Sequence, residues 1–366
     1  MLESSVSRLE EFAQCPFRFF VHSGLRAGER KKFELDARER GSFQHEILKQ
    51  FHEELTAGAK RWRDLTPAEA RERIGRIAAA QTKDYRAGLM QVDDQSRFAA
   101  QTLTAALQDF VETLVTWMRG QFDFDPAKAE TGFGLDHPGL PAWKIELSHG
   151  HALALRGRVD RIDLCQVGDQ SLAVVMDYKS SSRKLEKLFI EHGIQLQLLA
   201  YLAAVRRWPA EFFGAKKIIP AGVFYVNLRG HFESGESRTE VLADPESARR
   251  LAYRHKGRFD ASFLPHLDRT GARDQFNYQM NKDGRVRSNS TEALAGGEFA
   301  ALLDQVEAQL RLLGERIYSG SAAVDPYRKG GATACEYCEY RAVCRLNEWT
   351  HEFRDLRPVE KSLPGI

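Results

Sequence analysis

Two short runs of this sequence carry groups able to work on a phosphate ester: Gly157-Arg158-Val159-Asp160-Arg161-Ile162-Asp163 and, after a turn, Val175-Met176-Asp177-Tyr178-Lys179. Residues two apart on a strand share a face, so Asp177 and Lys179 point one way and Tyr178 the other. A turn at Gly168-Asp169 brings Asp160 back beside that strand, so that two carboxylates and an ammonium converge at one end of the pair. Carboxylate oxygens suit hard cations such as Mg²⁺ or Mn²⁺. Such a cation stabilises charge on a phosphate and lowers the pKa of bound water, while a nearby lysine can orient that water or meet the phosphorane. Asp163 has the opposite strand parity from Asp160 and is expected to be structural, paired with an arginine.

A D-x-K triplet by itself is frequent by chance, but two further features support this one. Gln197 and Tyr201 are four apart on an expected helix and therefore neighbours on one face. A polar pair in a mostly apolar helix must find partners, which a bound phosphate, a catalytic lysine or the protein core could each supply. His45 lies outside the apolar stripe of its own helix. It is either a surface residue or an imidazole completing a divalent-metal shell.

The five cysteines form a second constellation. Cys335, Cys338 and Cys344 fall within ten residues as C-x₂-C-x₅-C, Cys15 is at the opposite end of the chain, and Cys165 stands alone. An odd count in a long chain does not make a disulfide framework, so the spacing points to a metal site. Cys165, beside Leu164, reads as a small core residue.

Elements to position these groups are legible in the periodicity. Ser7 is a candidate cap for a short helix ending before Cys15-Pro16, and Phe43, Ile47, Leu48, Phe51 and Leu55 mark a helix from Gly41. The pattern stays helical from Thr66 to Gly120. It then changes to period two: strands at Trp143–Ser148, His151–Cys165 and Ser171–Lys179 form a meander whose last member is apolar enough to be central. A helix at Gln195–Arg207, a strand at Ala221–Asn227 and a helix at Glu298–Tyr318 follow, while 231–290 shows weak periodicity and reads as irregular. The order predicts an α/β core. The 366 residues, 43% of them hydrophobic, suffice for a real core, which excludes disordered and collagen-like classes. No run approaches the roughly 18–20 apolar residues of a membrane span, and Met1–Leu9 is charged and polar, so a cytoplasmic, membrane-free protein is expected.

Gly41-Ser42-Phe43-Gln44-His45, the Gly157–Asp163 run, Asp177-Tyr178-Lys179 and Gln197-Leu198-Leu199-Ala200-Tyr201 together resemble the ordered motifs of RecB-type nucleases in the PD-(D/E)XK superfamily. Val159 stands where the superfamily name would put proline, which RecB-type members commonly lack. The resemblance implies a restriction-endonuclease-like α/β core, a mixed sheet flanked by helices, with a helical insertion and a terminal iron–sulfur clasp. It implies that His45, Asp160, Asp177 and the backbone carbonyl of Tyr178 hold Mg²⁺ or Mn²⁺. Lys179 would be the catalytic lysine and Gln197 and Tyr201 a supporting pair. The segment from Ser7 to Phe17, taken with Cys335, Cys338 and Cys344, resembles the AddB-type nuclease domain, in which Cys15, Cys335, Cys338 and Cys344 would hold a [4Fe–4S] cluster. The same four ligands also suit zinc.

The implied organisation is an N-terminal segment (1–35), a helical region with the His motif (36–140), the nuclease core (141–230), an irregular insertion (231–297) and a C-terminal helix with the cysteine segment (298–366). The implied function is metal-dependent DNA hydrolysis, exonucleolytic and on single strands, beside an ATP-dependent helicase partner or fused helicase region in double-strand-break processing and recombinational repair. No G-x-x-x-x-G-K-[ST] loop occurs in the chain; as full AddB-type proteins carry an N-terminal helicase-like region, the resemblance implies an excised C-terminal nuclease domain or a free-standing relative. The competing readings are an iron–sulfur exonuclease of the CRISPR-adaptation type and a silent DNA-binding scaffold. The net charge is only +2, so local runs must carry DNA contact: Arg183-Lys184 beside the active strand, and less distinctively Arg249–Arg258 and Lys282–Arg287.

Overall fold

The computed structural model describes residues 1–28, 33–135, 139–230, 237, 239, 244–287, 290–295, 297–347 and 349–359. An eight-stranded mixed sheet forms the centre, built from β1 (Leu2–Ser5), β2 (Asp125–Phe133), β3 (Trp143–Glu146), β4 (Ala152–Val167), β5 (Gln170–Lys179), β6 (Ile218–Asn227), β7 (Lys256–Asp260) and β8 (Ala293–Leu294). The main order is β1-β4-β5-β6-β7-β8, with β2 and β3 also paired to the long β4. The β3-β4-β5 meander read from the sequence is present. β4 and β5 are antiparallel, and β5 and β6 are parallel through the crossover helix α5 (Gln197–Arg207).

Helices cover both faces of the sheet. On one side lie α2 (Ala37–Ala57), α3 (Pro67–Asp84) and α4 (Asp94–Gly120); on the other lie α1 (Val6–Gln14), α5 and α7 (Glu298–Tyr318). The strand β5 explains this layering, since Val174, Met176 and Tyr178 enter the first core and Ala173 and Val175 the second. That is why its sequence shows a continuous apolar run rather than alternation. The helix α5 is likewise wedged between the sheet and α7, and eight of its eleven residues are buried.

Two expectations need correction. The segment 125–133, assigned with the helices, is the strand β2. The described part of 231–297 is less irregular than its sequence suggests, because it includes α6 (Pro245–Tyr253) and the strands β7 and β8, and it buries Phe259, Phe276 and His255. The apolar residues there are too widely spaced for a local period to show, and long-range pairing with β6 organises them. Among the described residues no helix is long and apolar enough to cross a membrane.

The chain ends meet. Phe17 N–H donates to Ala323 O (3.0 Å), Tyr340 O–H to Ala27 O (2.8 Å), and the Arg354 guanidinium to Ala13 O. A small sheet of β9 (Tyr327–Lys329), β10 (Ala332–Thr333) and β11 (Arg354–Asp355) closes this corner.

His255 is fully buried among Trp117, Phe224 and Phe276, and burial pushes its imidazole down to about 3. The unfolded chain takes up that proton near pH 6.5, so this group's stabilisation is complete above pH 6.5 and is lost as the pH falls toward 3. We therefore expect Tm to fall less between about pH 7.5 and pH 5 in His255→Phe than in the wild type, as measured by thermal melts.

Candidate active site and metal centre

The β4–β5 ladder runs from Val167↔Gln170 to Arg161↔Met176, whereas β5 continues beside β6 as far as Lys179↔Asn227. Beyond Met176 a side chain takes over from the ladder, as Tyr178 N–H donates to Asp160 Oδ2 (2.8 Å). This bond fixes Asp160 at the point where the strands part. On β5, Asp177 and Lys179 share a face as their parity requires, and Lys179 Nζ forms an ion pair with Asp177 Oδ2. The Tyr178 side chain is buried, its hydroxyl accepting from Arg161 Nη1 (3.3 Å), and Arg161 in turn pairs with Asp163 (Nε to Oδ1, 2.6 Å). Asp163 is thus the structural carboxylate expected from parity. It compensates a buried arginine that also lies over the Trp62 ring.

Two further elements complete the site. The helix α2 is capped by Asp36 and anchored by Phe43, Ile47, Leu48, Phe51 and Leu55; it presents His45 to the sheet, edge-on to the Tyr178 ring. The strand β2 brings Glu130, a residue that sequence reasoning missed. Glu130 has a left-handed backbone (φ +47°) and stands between Ala129↔Arg161 and Thr131↔Val159, opposite Asp160. Such a backbone costs a non-glycine residue about 1–2 kcal/mol, and here it accompanies a contact with the imidazole: Glu130 Oε1 lies 2.7 Å from His45 Nδ1. No apolar alternation in Asp125–Phe133 flags this strand, so the signal was absent.

His45, Glu130 and Asp160 each offer one ligand atom, all within 4.8 Å of one another. Burial holds Asp160 well above the usual carboxylate range, reinforced by the charge of Asp177. Burial also works against the His45 cation, but the Glu130 hydrogen bond and the charges of Asp160, Glu130 and Asp177 outweigh it and raise His45 to about 9. Excess negative charge in a buried pocket, beside a nitrogen donor, fits a divalent cation. Of the expected ligands, His45 and Asp160 come together, whereas Asp177 Oδ2 faces Lys179 and Tyr178 lines the same cleft. The cleft has a volume of about 630 Å³, and Arg38 and Arg158 add positive charge to its walls. Gln44 also lines it, buried and with neither side-chain polar atom hydrogen-bonded.

Gln197 Nε2 donates to Tyr201 Oη (3.0 Å), joining the expected pair to each other. Tyr201 Oη comes so close to β4 that a Cβ at Gly157 would lie 3.1 Å from it. Glu10, on α1, is a second missed residue. Its Oε1 accepts from the N–H groups of both Leu196 and Gln197 (2.6 Å each) and so holds the start of α5. Arg183 and Lys184 are exposed just past the active strand. Much of the Arg249–Arg258 run is used internally, since Arg249 pairs with Glu112 and Arg258 donates to Leu185 O.

Residues 3–345 match the PD-(D/E)XK nuclease superfamily. The chain belongs to that superfamily. The superfamily fold, a mixed sheet between helices, is the one observed. Proteins named as one of the subunits of an ATP-dependent helicase/deoxyribonuclease are similar over nearly the whole chain. That of Alkaliphilus metalliredigens is 30% identical across 96% of this chain and 30% of its own length. The Symbiobacterium thermophilum protein is 33% identical across 94% and 30%, and that of Caldanaerobacter subterraneus subsp. tengcongensis 29% across 100% and 32%. The chain therefore spans about a third of the length of these relatives. A solved structure described as "Crystal structure of SSO0001" overlaps 92% of this chain and 93% of its own at 11% identity, with a TM-score of 0.20.

Glu130→Ala should weaken Mn²⁺ binding about 10–100-fold, measured by metal titration with circular dichroism as a control for folding. Unchanged affinity would remove Glu130 from the site.

Proposed function

We propose that this chain is a divalent-metal-dependent deoxyribonuclease domain that hydrolyses phosphodiester bonds exonucleolytically on single-stranded DNA. It would act in the cytoplasm beside an ATP-dependent helicase, in double-strand-break processing and recombinational repair. The observation that carries the reading is the convergence of His45, Glu130 and Lys179 on one open cleft, with Asp160 grouped with His45 and Glu130 and with Asp177 paired to Lys179. The names of the relatives, which join helicase to deoxyribonuclease, support the choice of DNA and of a motor partner.

Mg²⁺ or Mn²⁺ held by His45, Glu130 and Asp160, with Asp177 and the Tyr178 carbonyl at hand, would stabilise charge on the phosphate and acidify its bound water. Lys179 reaches the same cleft with its ammonium steered by Asp177, and can donate to a phosphate oxygen or hold the attacking water. Tyr178 N–H keeps Asp160 in place, and the Glu10 bonds to Leu196 and Gln197 keep the α5 end, with Gln197 and Tyr201, against the site. Arg183 and Lys184 would take the phosphates of the bound strand.

The second part of the proposal concerns the cysteines. Cys15 is buried and Cys335, Cys338 and Cys344 are half-buried where the chain ends meet; burial first, then the neighbouring Cys15, Cys338 and Cys344, pushes the Cys335 thiol up to about 11. Thiols that discourage one another's ionisation suit a cationic centre, and a [4Fe–4S] cluster on these four would tie the two termini together. Cys165 is separate, on β4 with its side chain in the core.

Lys179→Ala and Asp177→Ala should each lower Mg²⁺-dependent cleavage of labelled single-stranded DNA by about 100-fold or more, as should EDTA, with folding and DNA binding retained. Full activity in both variants would overturn the site, and an inactive wild type that still binds DNA would indicate a scaffold. For the cluster, protein purified without oxygen should be brown, and Cys338→Ser should lose the colour and bound iron and melt at a lower temperature; a colourless wild type would end the iron–sulfur assignment.

A further inference from the structure

Past Lys179 the chain continues Ser180-Ser181-Ser182-Arg183. Ser180 still lines the cleft of the metal centre, but Ser181 already lines a second cavity of about 270 Å³. Three cations, Arg183, Arg254 and Lys256, surround this cavity together with the hydroxyls of Ser181 and Ser182 and the amide of Asn227. Among the described residues no carboxylate lines it. Two of the cations spend hydrogen bonds on neutral oxygens. Lys256 Nζ donates to Ser182 Oγ (2.7 Å), and Arg254 donates to the carbonyls of Arg273 (2.8 Å) and Asp274 (3.2 Å). These bonds fix the positive groups in place without neutralising them.

The wall between the two cavities is thin. Lys179 and Asn227 are register partners, and Lys179 Nζ lies 5.9 Å from the ring centroid of Tyr225, which lines the second cavity. Three cations around one concavity repel one another, and an anion placed among them relieves that repulsion. Exposed Leu251 on the rim gives an apolar surface beside the charges, the mixture that a sugar-phosphate unit presents in reverse.

We propose that this second cavity is a phosphate subsite of the bound DNA strand, taking the phosphate of a nucleotide adjacent to the bond that the metal centre cleaves. The inference rests on the nuclease reading and adds to it: Lys256 and Arg254, distant from the active strand in sequence, join Arg183 in setting which bond enters the metal centre. The chemistry is that of any nucleotide phosphate, either an internal diester or a strand-end monoester.

The test uses single-stranded oligonucleotides in which one phosphate at a time on either side of the scissile bond is replaced by a neutral methylphosphonate, with terminal phosphate present or absent. The wild type should show about a tenfold rise in KM for one adjacent neutral linkage. The Arg183→Ala/Lys256→Ala variant should already carry that rise and show no further response to the same linkage. Sensitivity that follows only the terminal phosphate would assign the cavity to a strand end. Equal responses of the two proteins at every position would overturn the proposal. Fluorescence anisotropy in EDTA separates the two readings. A wild type that cuts no DNA, but binds it about tenfold more tightly than the double variant, would sustain the cavity as a phosphate site of the bound strand and overturn the nuclease reading, and with it the placement beside a scissile bond. Cleavage and binding that ignore both substitutions would do the reverse.

Discussion

The active site depends on a side chain finishing what the β-ladder leaves undone. Where β4 and β5 separate, the N–H of Tyr178 has no strand partner, and Asp160 Oδ2 accepts it. An unmet buried N–H would cost about 1–3 kcal/mol, so the backbone itself holds the Asp160 carboxylate in place. Its other oxygen is left facing His45, 3.7 Å from Nδ1. Three carboxylates, those of Glu130, Asp160 and Asp177, then raise the proton affinity of His45, while the ammonium of Lys179 compensates Asp177. Negative charge gathered in this way is costly to bury and lowers its free energy by taking a cation, be it a proton on the imidazole or a metal ion.

The second dependency runs through α1. That helix carries Glu10 toward α5 and is followed directly by Cys15 at its C-terminal end. Burial raises the Glu10 carboxyl to about 7 against the opposing effect of its two hydrogen bonds from the Leu196 and Gln197 N–H groups. The C-terminal segment grips the same helix through Arg354 at Ala13, and Arg316 of α7 lies over the Phe12 ring. Closure of the chain ends around the cysteines therefore bears on the position of Gln197 and Tyr201, although the thiols and the carboxylates belong to different corners of the molecule.

The legibility of the site follows chain locality. Asp160, Asp177 and Lys179 lie on strands joined by a tight turn, so parity alone places them, and parity also separated Asp163 as the partner of an arginine. The apolar faces of α2 and α4 were equally plain, because burial of one face imposes a 3.6-residue period, and α5 was legible as a helix apolar on most sides. Glu130 was invisible because its strand is short of apolar residues and its backbone departs from extended geometry at the residue that matters. Glu10 was hidden differently: its partners are backbone N–H groups almost two hundred residues away, which no residue type advertises. The strands β7 and β8 form only by pairing with β6 and with each other, so their segment carried no period of its own.

By itself the sequence determined the α/β class, the β3-β4-β5 meander, the shared face of Asp177 and Lys179, and the cysteine spacing, since each follows from residue type and short-range periodicity. The tertiary structure decided which distant groups join them. It placed Glu130 beside His45, set Glu10 beneath α5, and gathered Arg183, Arg254 and Lys256 around one cavity. The physical reason is that local spacing fixes the direction of a side chain relative to its own backbone, whereas a site is a concentration of charge from several elements. That concentration exists only once strand pairing and two-sided core packing have brought those elements together.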